Sequence, residues 1–111
     1  MLTVQPLTLE EIVSWYRSKQ RLLANSSVSL ARIRERTDHL PAAAADFDAA
    51  NAIGRIDGWV SGAFDFHVLR ASDGKDAFWR HADVATVDQL EGTYAEFLRT
   101  MQNPDEPATS Y

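Results

Sequence analysis

The chain has 111 residues, 45% hydrophobic and 24% charged, and its 11 basic and 16 acidic side chains leave a net charge of −5. That is the size and composition of one globular domain, too short for two ordinary ones and large enough for a core without staples. The absence of cysteine excludes disulfides and thiolate–metal sites, and the acidic balance disfavours a nucleic-acid backbone and favours a basic protein partner.

Met1 to Pro6 show no basic segment followed by an apolar one, so no secretory signal is expected. No stretch approaches the roughly 20 apolar residues that cross a bilayer, and a cytoplasmic protein is the simple reading. A first helix is predicted to open at Thr8, with Glu11 three residues on in a capping-box pattern. Leu9, Ile12, Val13, Tyr16 and Leu23 recur at helical spacing and make its apolar stripe. Glu10 and Glu11 near its start and Lys19 and Arg21 near its end suit the helix dipole. Asn25, Ser26 and Ser27 close it.

Beyond this helix the period changes to two. Strands are predicted over Val28–Glu35, Ala45–Ala49, Ile53–Val60, Ala63–Arg70 and Ala77–His81, with Thr37–Ala44 as a loop. Ser61-Gly62 and Ser72-Asp73-Gly74 supply tight hairpin turns, and Asn51 marks another. The face assignment of the first strand is ambiguous, since Val28 and Leu30 lie in one phase and Ala31 and Ile33 in the other. Thr86 and Gln89 form a second capping-box pattern, followed by an apolar stripe of Val87, Leu90, Tyr94, Phe97, Leu98 and Met101. Gly92 within that helix suggests a close approach, and the tail from Asn103 to Tyr111 is expected to fray, leaving an ordered core of residues 8–102. The expected architecture is therefore α+β. It is a two-layer sandwich in which an N-terminal helix and a C-terminal helix cover one face of an antiparallel meander of four to five strands.

Alternation assigns the sheet faces. Phe64, Phe66 and Val68 should meet the helices, with Gly54 and Gly58 on the same side. Asp46, Asp48, Arg55, Asp57, Trp59, Asp65 and His67 should then look outward, joined by Trp79. Acids around large aromatics and an arginine have the composition of a protein-binding patch. The competing reading is a solvated face whose acids pair with Arg55 or Arg80.

Motifs for catalysis are lacking. Asp65-x-His67 and His81-x-Asp83 each offer a carboxylate and an imidazole at ligand spacing, but no third ligand accompanies them. Asp57 and Asp65 could share a proton across a hairpin, yet an open sheet lacks the dry pocket such chemistry needs. No serine lies in a nucleophile elbow, and Gly54 and Gly58 lie within a strand rather than a phosphate loop. Neither a metal, a cofactor nor an enzymatic activity is expected.

The segments Trp59-Val-Ser-Gly-Ala-Phe-Asp-Phe66, Arg70-Ala-Ser-Asp-Gly-Lys75 and Phe78-Trp-Arg-His81, followed by a capped helix ending in Phe97-Leu98, resemble the TriTu family of bacterial immunity proteins. Trp15-Tyr16 on the first helix also fits. The resemblance spans Leu9 to Met101, and Thr37 to Asp48 departs from it. It implies a cytoplasmic binder of a cognate toxin protein that blocks the toxin's active site or substrate route. It carries no contact residues with it. A secretion-system chaperone or adaptor binding an effector is the alternative, followed by a small ligand-binding or enzymatic domain. A monomer and a homodimer are both compatible with the pattern.

Overall fold

A computed structural model describes residues 5–105. Helix α1 spans Leu9–Leu22, strands β1 to β5 span Ser29–Arg36, Ala42–Asp48, Ala52–Trp59, Ala63–Arg70 and Asp76–Asp83, and helix α2 spans Glu91–Gln102. The strands pair in sequence order as one antiparallel five-stranded meander. Both helices pack on the same face, α1 over β1 to β3 and α2 over β3 to β5. The expected two-layer α+β sandwich is what the chain forms. No helix among the described residues is long and apolar enough to cross a membrane.

Local chemistry explains the elements. Thr8 Oγ1 accepts from the Glu11 N–H at 3.1 Å while Glu11 reaches back to the Thr8 N–H at 3.0 Å, so two orphan donors of α1 are satisfied at once. Gln89 likewise accepts from the Thr86 N–H, but the chain first makes a 3₁₀ turn, Val87–Leu90, before α2. The β3–β4 turn closes with the Gly62 N–H donating to Trp59 O, and Gly62 holds φ +96°. A side chain there would be strained and would meet the Val84 carbonyl at 2.1 Å.

Several features differ from expectation. The segment read as a loop ends earlier, because β2 starts at Ala42 and stops at Asp48. Four successive alanines carry no alternation for a sequence reader, yet their backbones pair with Ile33–Arg36 on one side and with Ile56–Trp59 on the other. The fifth strand runs beyond His81 to Asp83 and begins at Asp76. Finally, Gly92 is exposed and a Cβ there would meet nothing within 4 Å, so it marks no close approach. The tail expected to fray falls largely on residues 106–111, and the signal-free N-terminus on residues 1–4. Both lie outside the described residues.

The core lies between sheet and helices. Phe64, Phe66 and Val68 are fully buried, as are Phe47, Ile56 and Ala45. Phe97 from α2 sits at the centre, 5.0 Å from Phe47, 5.8 Å from Phe66 and 6.2 Å from Tyr94 between ring centroids. Gly54 and Gly58 mark close approach. A Cβ at Gly54 would lie 2.6 Å from Met101 Sδ, and one at Gly58 2.3 Å from the Phe64 ring. The two helices are joined through Glu91, which accepts from Trp15 Nε1 at 2.7 Å and pairs with the buried Lys19. Burial would raise the Glu91 carboxyl, but these two hydrogen bonds hold it below its ordinary value. The Lys19 ammonium also lies 4.9 Å from the Tyr94 ring centre, and burial beside Glu91 pushes the Tyr94 hydroxyl up to about 12.

Both free edges are irregular. The β1–β2 register shifts by one between Leu30 and Arg32, leaving Ala31 as an extra residue. The β4–β5 register shifts between Val68 and Leu69, leaving Ala77 as its counterpart. Such bulges, with charged side chains beside them, blunt a sheet edge against further strand pairing.

Candidate partner-binding face

Among the described residues no helix covers the second face of the sheet. Its residues follow from the register. Asp46 and Arg55 are opposite one another, as are Asp48 and Ile53, Asp57 and Asp65, Arg55 and His67, and His67 and Trp79. All eight residues expected to look outward, Asp46, Asp48, Arg55, Asp57, Trp59, Asp65, His67 and Trp79, lie together on this uncovered face. Arg80 does not. It is opposite the core residue Phe66 and pairs with Glu96 of α2 at 3.1 Å.

The face is divided by charge. On the β1 side, Asp46 gathers three arginines. Arg34 binds it through Nε and Nη2, both at 2.9 Å, while Arg32 and Arg55 each donate only Nε, at 3.2 and 3.4 Å. Burial would raise the Asp46 carboxyl, but the hydrogen bonds from Arg34, Arg32 and Arg55 hold it below its ordinary value. On the β5 side the partners are histidines. His67 Nε2 lies 2.6 Å from Asp76, and His81 lies 2.6 Å from Asp65 through Nδ1 and 3.1 Å from Asp83 through Nε2. The Asp65 and Asp83 carboxylates raise the His81 imidazole. Asp65 and His67 thus turn to different partners. Among the described residues no group of three or more His, Asp or Glu is placed to hold a metal ion.

Asp57 stands between the two halves and makes no hydrogen bond or ion pair among the described residues. Half-burial raises its carboxyl, and Asp65 and Asp46 reinforce that against the opposing pull of Arg55 and Arg34. It lines a shallow cleft of about 520 Å³ with Trp59, Arg34, Arg36 and Arg55, floored by Ala42 and Ala44. The small side chains of the alanine run are what make the cleft. A second hollow of about 240 Å³ runs between Ile53, Leu69, His67 and Arg55. Trp79 is 58% exposed and Ile53 54%. Neither Trp59 nor Trp79 has an indole hydrogen bond among the described residues, whereas Trp15 in the core has one. Acids on a shallow cleft lack the enclosed, dry surroundings that proton transfer needs, while an exposed Trp79, a part-buried Trp59 and an unpaired carboxylate have the composition of a partner-binding patch.

Sequence reasoning missed the arginine row. Arg32, Arg34 and Arg36 face outward only because the extra residue at Ala31 puts Leu30 and Ile33 on the same inner side. Two apolar residues three apart in one strand are the available signal of a bulge. Ile53 also lies on this face with Leu69 as its direct cross-strand neighbour, and neither was among the residues singled out from the sequence.

The family model described as Immunity protein TriTu matches residues 10–100. No curated protein matches the chain.

Proposed function

Since the chain belongs to the TriTu family of immunity proteins, we propose that it protects a cell by binding a cognate toxin protein through the uncovered sheet face and obstructing the toxin's active site or substrate route. The observation that carries this reading is the concentration of incomplete groups on that face: two indoles without hydrogen bonds, a half-buried unpaired Asp57 and an alanine-floored cleft. A five-stranded sheet backed by two helices is a rigid platform, so little ordering entropy opposes association. Steric obstruction needs no chemistry from the inhibitor, and the reading is of a non-enzymatic cytoplasmic protein without cofactor. Binding by strand addition, which an adaptor would use, is disfavoured by the bulged and charged edges.

The test is co-expression with the toxic domain encoded beside this gene, reading growth and co-purification. Wild type should rescue and form a stoichiometric complex. Trp59→Ala and Trp79→Ala together should weaken binding by about 30-fold or more, as loss of central aromatic anchors does, with circular dichroism unchanged. Full affinity in the double variant would remove the uncovered face from consideration, and absence of both rescue and binding in wild type would remove the toxin itself.

A further inference from the structure

The net charge of −5 suggests a basic partner, but the charge is not spread evenly, and across β1 to β3 the open face gathers four arginines, Arg32, Arg34, Arg36 and Arg55, against Asp46, Asp48 and Asp57. Arg32, Arg34 and Arg55 converge on one carboxylate, Asp46, so three guanidinium groups share a single counter-charge. A guanidinium has five N–H donors, and Arg32 and Arg55 each commit only Nε. Their Nη groups, the ends that form bidentate pairs with carboxylates, are left facing out on side chains 67% and 53% exposed. Holding each arginine by Nε fixes its plane in advance, which lowers the entropy lost when a further carboxylate binds. Asp57 moderates the positive field without pairing to either arginine. Across β4 and β5 the same face carries Asp65, Asp76 and Asp83, countered only by His67 and His81.

We infer that the toxin docks with acidic side chains against Arg32, Arg34 and Arg55, and with an apolar side chain in the neighbouring trough formed by Ala42, Ala44 and Trp59. This rests on the open face being the toxin-binding face and adds the chemistry and the direction of the partner. The toxin's contact surface is acidic where it lies over β1 to β3, although the inhibitor as a whole is acidic. The bipolar face admits the partner in one orientation, because the reversed pose sets carboxylates against Asp65 and Asp83.

The experiment measures association and dissociation of the purified wild-type protein and its Arg32→Gln/Arg55→Gln variant with a catalytically inactivated form of the adjacent-gene toxin domain, at low and at physiological salt. Arg34 stays in place to hold Asp46, so the variant should keep its melting temperature. Binding should weaken about tenfold or more, mainly through slower association, and depend less on salt. An Arg32→Lys/Arg55→Lys variant should keep the salt dependence while losing part of the affinity, because charge remains and the fork does not. If the glutamine variant binds within twofold of wild type while the Trp59/Trp79 variant does not, the acidic-partner inference is wrong and the face assignment stands. If both variants bind normally, both ideas fall. A glutamine variant that binds more tightly would mean a basic toxin surface there and would also overturn the inference.

Discussion

Gly54 and Gly92 allow the same chemical change, one added methyl group, to be made at two sites for which the structure implies opposite signs. At Gly54 the new Cβ would lie 2.6 Å from Met101 Sδ and 2.8 Å from Phe97 Cζ, where ordinary contact begins at 3.4 Å. Relief therefore requires the helix side chains to withdraw by close to an ångström. Met101 is flexible and can give, but the Phe97 ring is enclosed by Phe47, Phe66, Phe78 and Tyr94 and cannot turn aside alone. Overpacking of this kind costs about 1–3 kcal/mol, and the reduced backbone freedom of alanine in the unfolded chain returns about 0.5–1 kcal/mol. Gly54→Ala should thus lose about 1–2 kcal/mol, lowering Tm by about 5–10 °C. At Gly92 the methyl meets open space on an exposed helix, and φ there is not positive. Gly92→Ala should gain about 0.5–1 kcal/mol from helix propensity. Urea unfolding followed by circular dichroism, with unchanged m-values, measures both. A Gly54→Ala protein as stable as wild type would refute the close-approach account of that glycine, and a destabilised Gly92→Ala would refute the claim that nothing faces it.

Three further outcomes are expected. Asp57→Asn should stabilise the isolated protein at neutral pH, by at most about 1 kcal/mol given solvent screening. The sign follows from the raised pKa: the ionised carboxylate is penalised in the folded state, so the gain should vanish in acid, below the unfolded carboxylate range, in paired melts across pH. His81 has the opposite dependence, because its raised pKa stabilises the fold fully below its unfolded value, about 6.5, and that contribution fades as pH rises through the folded value. The Tm difference between wild type and His81→Gln should therefore shrink from pH 5.5 to pH 8.5, and a constant difference would contradict the Asp65 and Asp83 contacts. Lys19→Met, which keeps the buried stem but removes the ammonium, should cost about 1–2 kcal/mol in urea unfolding, since Glu91 is half-exposed and can be rehydrated. A neutral result would mean that desolvation of Lys19 offsets its pairing.

The fold was legible wherever one period dominates. Phe64 to Val68 alternates strictly, and the boundaries read from the sequence, Ala63–Arg70, are those of β4. The helix stripes followed from spacings of three and four, and all six stripe positions of the C-terminal segment join the core, Val87 and Leu98 at its margin. Legibility failed where composition hides pairing. The alanine run of β2 has no polar residue to mark a phase, and its strand character comes from two neighbours that no local pattern contains. The site residues were placed on the correct face because each sits in a regular stretch. Their partners were not legible. The joining of Arg34 to Asp46 depends on a one-residue offset between strands, and the pairing of His67 with Asp76 depends on another.

These two offsets also bear on how the isolated protein ends its sheet. Two exposed strand margins would invite copies to pair edge to edge as concentration rises. Each margin is interrupted at one alanine, Ala31 or Ala77, whose loss would restore a regular ladder without moving any other side chain to the opposite face. A one-codon deletion at either position should leave the side chains of the uncovered face in place, yet favour edge-to-edge pairing where the sheet now ends.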